Sequence, residues 1–165
     1  MQIDIGFGDA VDPVPQLLTF PVLLLLDAPT VLAYPPEVVV AEKFHAMVRL
    51  GIANSRMKDF FDVWTLASVR SFEIGTLGHA IRGTFERRRT ELPRGVPFAF
   101  TREFLEDAAK NIQWKAFLGR IGLGGDQPAL GEVGSFLAGF LLPAVEVASR
   151  RSSPFNLWAA PGPWT

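Results

Sequence analysis

Tyr34-Pro35-Pro36-Glu37-Val38-Val39-Val40-Ala41-Glu42-Lys43-Phe44-His45-Ala46-Met47-Val48-Arg49-Leu50-Gly51 divides the chain into two regimes. Proline at its head and glycine at its foot match the asymmetry of helix starts and stops, so the stretch predicts a helix from about Pro36 to Leu50. On that helix Glu42, His45 and Arg49 share a polar face, where His45 reads as a solvated surface residue. Lys43 falls instead on a stripe with Val39, Val40, Ala46, Met47 and Leu50, the face expected to pack inward. A cation directed at a core or cleft costs desolvation unless an anion meets it. One reading has the ammonium waiting for a phosphate or for carboxylates. The other has a long side chain snorkelling to water.

Upstream the pattern differs. Gln2 to Asp9 alternates as a strand, with Ile3, Ile5 and Phe7 on one face and Asp4 on the other. Further short strands are expected around Leu17–Phe20, Leu23–Leu26 and Val31–Ala33, because Pro13, Pro15, Pro21 and Pro29 cut the region too finely for helices. Downstream, helices dominate. A second follows Asn54 and Ser55, either able to cap it, and runs to about Arg70; a third covers roughly Ile74 to Arg89. Thr101 caps a short one. A fourth main helix spans Asp107–Arg120, and an apolar one spans about Leu130–Ser149. Gly122 to Asp126 is a linker without the following Lys-Ser/Thr of a phosphate loop. The expected class is α+β and mostly helical: a few N-terminal strands, the remnant of a mixed sheet, then a bundle of about five helices. The expected division is a strand-rich segment 1–35, a helical domain 36–150 and an irregular Pro/aromatic tail 151–165, placed to dock through Phe155, Trp158 and Trp164.

Composition narrows the function. A hydrophobic share of 48% supports a packed core, and 16 basic against 17 acidic residues give a net charge of −1. That balance opposes sequence-independent coating of nucleic acid and gives no expectation of sequence-specific DNA binding, although a local basic patch stays open. The absence of cysteine removes disulfides, thiolate zinc sites and a cysteine nucleophile. The N-terminus lacks the basic start of a signal peptide. Leu17–Leu26 and Val133–Ala148 both read as short of a membrane span, so the expected location is the cytoplasm.

Asp59 and Asp62 stand three apart, hence on one face of the second helix, with Asp62 read as the deeper of the two. They could salt-bridge Lys43, hold a metal or act as a base. For Asp59 the favourable interaction of a carboxylate with a helix start is the simpler account. Arg82, Arg87, Arg88, Arg89 and Arg94 form a basic cluster, either a solvated face or a surface for an RNA backbone.

Taken together, Ile3-Asp4-Ile5-Gly6-Phe7-Gly8-Asp9, the Ala41-Glu42-Lys43 element within 34–47, and Arg56-Met57-Lys58-Asp59-Phe60-Phe61-Asp62-Val63 resemble the AbiEii/AbiGii nucleotidyltransferase family, toxins of bacterial toxin–antitoxin and phage-defence systems. Trp114 to Leu118 is similar to that family's helical C-terminal part. The resemblance implies magnesium-dependent transfer of a nucleotide from a nucleoside triphosphate to an RNA acceptor such as tRNA, with an antitoxin as protein partner. It makes Lys43 the triphosphate-binding and catalytic lysine and Asp59 the catalytic carboxylate. Asp62 and Glu42 become supporting residues, and Asp4 a metal ligand. The family's Gly-Ser…Asp-x-Asp element has no counterpart before Asp4, so the isolated chain, read as partial or truncated, is expected to be inactive or nearly so. The alternatives are a non-catalytic helical module that binds an antitoxin or a complementary chain, and an accidental likeness. Open strand edges make self-association a further expectation.

Overall fold

A computed structural model describes residues 14–19, 27–122 and 127–165 of the chain. The expected strands at Gln2–Asp9, with Asp4, and at Leu23–Leu26 lie outside the described residues, as does most of the expected linker. The described part is α+β and mostly helical, with six α-helices and a few short strands.

β1 (Gln16–Thr19) and β2 (Thr30–Ala33) pair antiparallel, Gln16 opposite Ala33 and Thr19 opposite Thr30. Leu17 and Leu32 are each about seven-tenths exposed, so this hairpin contributes little to the core. α1 (Pro36–Leu50) begins on the second proline and stops at Gly51, whose φ of +50° is open to glycine at little cost. A single 3-10 turn, Gly51–Ala53, leads to α2 (Met57–Val69). Neither Asn54 nor Ser55 is the cap residue of α2; Arg56 is, and the Asn54 side chain instead accepts from the Arg56 amide at 2.8 Å. β3 (Phe72–Glu73) runs directly into α3 (Ile74–Arg87). A second 3-10 turn, Phe98–Phe100, precedes α4 (Arg102–Leu105), which Thr101 caps. Asp107 caps α5 (Ala108–Ile121), accepting from the Lys110 amide at 2.8 Å. α6 (Leu130–Ala148) follows.

α6 is the hub, with α2, α3, α4 and α5 all packed against it. Its buried positions Leu130, Val133, Leu137, Phe140, Leu141, Ala144 and Ala148 recur at helical spacing and carry no polar atom to satisfy. This helix is long and apolar enough to cross a membrane, with a mean hydropathy of 1.5, where the sequence reading stopped the segment short. Here those side chains are spent on neighbouring helices. Pro143 sits within it, and Arg82 closes its end by donating to the Val147 and Ala148 carbonyls at 2.7 and 2.6 Å.

The last residues are more ordered than the irregular tail expected. β4 (Leu157–Trp158) pairs antiparallel with β3, Phe72 opposite Trp158. Trp158 and Trp164 are buried and satisfy their indole N–H groups on the Ala67 and Phe140 carbonyls at 2.7 and 2.9 Å. Phe155, named with them from the sequence, stays exposed.

Candidate functional site

The core side of α1 is formed by Val38, Val40, Ala41, Phe44 and Met47. Lys43 borders that stripe rather than lying within it, and Val39, Ala46 and Leu50 accompany it along the wall of an open groove. The inward face therefore sits about one position away from the one read off the sequence. A cation on this border keeps its stem against apolar neighbours and aims its head sideways, towards α2.

What it meets there is a pair of carboxylates. Lys43 Nζ donates to Asp59 Oδ1 at 2.9 Å and to Asp62 Oδ2 at 2.7 Å. Asp59 and Asp62 reach it together because positions three apart share a helix face. Arg56 brings its Nε to 2.6 Å from Asp59 Oδ2, and Lys58 pairs with Asp62 one turn along the helix. Asp59 Oδ2 has a cation beside it but accepts no aligned hydrogen bond. Burial order reverses the expectation: the Asp59 side chain is 4% exposed and the Asp62 side chain 24%. Asp62 lies nearer the rim because Val63 and Phe60, not Asp62, take the positions that face the core.

Burial works against the charge on Lys43, but the hydrogen bonds it donates to Asp59 and Asp62, and its attraction to both, outweigh burial and hold its pKa above the usual 10.5. Three cations thus surround two carboxylates, leaving one positive charge in excess.

The groove beside this cluster has a volume of about 520 Å³. Lys43 and Arg56 line it with Tyr34, Arg49, Arg87 and Arg88, while Asp59 and Asp62 do not. Glu42 is also in the wall. It accepts from Arg87 at 3.2 Å and from Arg88 at 2.9 Å, so it is tied to the end of α3 rather than to the lysine cluster. Lys43, Asp59 and Asp62 come together; Glu42 stands apart from them; Asp4 lies outside the described residues.

Two further readings change. His45 is half-buried rather than solvated, bonded to Thr90 Oγ1 at 3.0 Å and edge-on to Phe85. Burial lowers its pKa below 6.5, with Arg88 and Arg49 adding to the effect against Glu42. The arginine cluster is dispersed: Arg82 serves α6, Arg87 and Arg88 serve Glu42, and Arg94 reaches Glu91 at 3.6 Å. Sequence reasoning missed Arg56 and Arg49, although Arg56 stands three before Asp59, a spacing that can pair them on a helix turn. It also missed Lys110, buried on α5, which donates to the Asn54 carbonyl at 2.9 Å and lies 5.4 Å from the Phe104 ring centre. Lys110 holds the loop that delivers Arg56 to the site.

The family described as "Nucleotidyl transferase AbiEii toxin, Type IV TA system" matches residues 1–136. No curated protein and no solved structure gives a significant match.

Proposed function

This chain belongs to the AbiEii nucleotidyl transferase toxin family of type IV toxin–antitoxin systems, and from that premise we infer that Lys43 and its groove bind the triphosphate of a nucleoside triphosphate whose nucleotide is passed to an RNA acceptor such as tRNA. The observation that carries this reading is the Lys43 ammonium, tethered by two aspartates at the wall of an open groove lined by further cations. A triphosphate there meets Lys43, Arg49 and Arg56 on one side, and charge-assisted donors are the strongest partners such a ligand can find. Asp59 and Asp62 keep the ammonium charged and oriented before the ligand arrives, so little reorganisation accompanies binding. Arg87 and Arg88 are held back by Glu42, which supports the groove's shape rather than contacting phosphate.

Magnesium, implied by the resemblance, does not fit the described residues. Asp59 and Asp62 are already compensated by Lys43, Arg56 and Lys58, and no group of three ligand side chains occurs among the described residues. The carboxylates that would hold the ion would lie outside the described residues, where Asp4 is the candidate. The described groove therefore binds nucleotide more readily than it transfers it. The same charge compensation favours a second reading, a non-catalytic module that engages an antitoxin or a complementary chain.

Calorimetric titration with each of the four nucleoside triphosphates separates these readings. Binding should weaken at least tenfold in Lys43→Gln, about 1.4 kcal/mol for a lost charge-assisted contact, while labelled-nucleotide transfer to pooled tRNA with magnesium stays at background. No binding of any nucleotide overturns the triphosphate groove. Robust labelling that disappears in Lys43→Gln overturns the prediction of inactivity.

A further inference from the structure

Among the described residues that line the nucleotide groove, His45 is the only histidine, the residue type that ordinarily changes charge near neutral pH. Its position is set from α3. That helix ends in a turn with Arg89 in the left-handed region, φ +51°, and the Thr90 amide returned to the Phe85 carbonyl at 2.9 Å. The turn brings Thr90 Oγ1 to 3.0 Å from His45 Nε2. Because the hydroxyl donates to the Arg88 carbonyl at 3.2 Å, the imidazole meets its lone pair, and Nε2 carries the hydrogen. Nδ1 is then the nitrogen left to take a second proton. That proton is costly here. Burial opposes it most, Arg88 and Arg49 add to that, and Glu42 pulls the other way. Glu42 is already shared between Arg87 and Arg88, and Arg49 has no hydrogen bond or ion pair among the described residues. The charged and titratable groups around His45 are thus Glu42 and Arg49 on α1 and Arg87 and Arg88 at the end of α3, with Tyr34, Lys43 and Arg56 completing the wall.

We propose that His45 makes binding in this groove proton-linked: the triphosphate is held more tightly when the imidazole is charged, and its arrival draws a proton from solvent onto Nδ1. The proposal rests on the reading of the groove as the triphosphate site and adds the regulation of that site by pH. A triphosphate brings several negative charges to a wall where Glu42 supplies one, and so reverses the balance that keeps the imidazole neutral. Direct contact is not required, since charges at a partly buried wall act across the groove with less screening than in bulk water. The linkage is reciprocal: the factor by which the anion favours charged His45 is the factor by which charged His45 favours the anion. With His45 titrating below 6.5, the groove tightens on its ligand as pH falls through that region.

The test is a nuclear magnetic resonance pH titration of the full chain, with and without inorganic tripolyphosphate, the anionic part common to all four nucleotides. The chain has two histidines, His45 and His79, so either His45→Gln or His79→Gln assigns both signals. Tripolyphosphate should raise the His45 pKa by about 0.5–1 unit and leave that of His79, which does not line the groove, in place. Calorimetry at pH 5.0 and 7.5 reads the other side of the linkage. The gain in affinity at acid pH should exceed that of His45→Gln by up to about tenfold, because Gln keeps an N–H for Thr90 but takes no charge. Protonation of the ligand itself is common to both proteins and cancels between them. Binding that is weakened in Lys43→Gln while the His45 pKa stays put overturns the proposal and leaves the groove reading standing. An equal shift at His79 also overturns it, since that marks diffuse binding rather than this wall. No binding at either pH overturns the groove reading and the proposal together.

Discussion

At the scale of single residues, two ionisable side chains on α1 should give stability a pH profile with distinct flanks. Lys43 titrates above its ordinary value when folded, because its aspartate partners outweigh the cost of burial. Its contribution is therefore complete below pH 10.5 and is lost as pH rises through the folded pKa. His45 titrates below 6.5 when folded, burial being the largest cause. Its neutral form is the one accommodated, so its contribution is complete above pH 6.5 and declines as pH falls towards the folded pKa. Urea denaturation across pH should show both declines. Lys43→Met should remove the alkaline one and His45→Phe the acid one; a flat profile in the unaltered chain refutes both assignments. Lys43 was legible because a charge beside an apolar stripe is physically odd, and its aspartates because three-residue spacing shares a face. Lys110 was not legible. Its partner is a backbone carbonyl fifty-six positions away, and a carbonyl leaves no mark in a sequence.

At the scale of elements, helix boundaries were legible wherever a side chain or ring sets them. Pro36 and Gly51 bound α1, and Asp107 and Thr101 cap the helices that follow them. β3 and β4 were not legible, since two-residue strands carry no period and owe their existence to packing between distant segments. Glycines on α3 show the same division. A Cβ at Gly83 meets nothing within 4 Å, whereas one at Gly78 falls 3.0 Å from Val147 Cβ and 3.1 Å from the Ala144 carbonyl of α6. Gly83→Ala should raise stability by up to about 1 kcal/mol through helix propensity. Gly78→Ala gains the same propensity but forces apart two helices whose contact atoms are a β-branched side chain and a backbone oxygen, a cost of about 1–3 kcal/mol. Thermal unfolding of the two variants should move in opposite directions. A rise in both would mean that the α3–α6 contact is looser than this geometry.

For the whole molecule, the aromatic tail is part of the core. Trp158 packs on Phe136 and Phe140, Trp164 stacks on Phe140, and both indoles are hydrogen-bonded. Trp158→Ala should cost about 3–5 kcal/mol, with loss of cooperative unfolding in urea; a change below about 1 kcal/mol would show the tail to be a surface ornament. The arrangement of α6 also bears on synthesis. α1 packs on α2 and α3, but α2, α3, α4 and α5 each keep a face open until Leu130–Ala148 is available, and β3 waits for β4, which pairs Phe72 with Trp158. At ribosomal speeds of about 5–20 residues per second, the part of α3 that meets α6 stays uncovered for several seconds, while α1 is already there to cover the rest. A nascent chain with that face open to solvent is a natural client for ribosome-associated chaperones until Leu130–Ala148 has emerged.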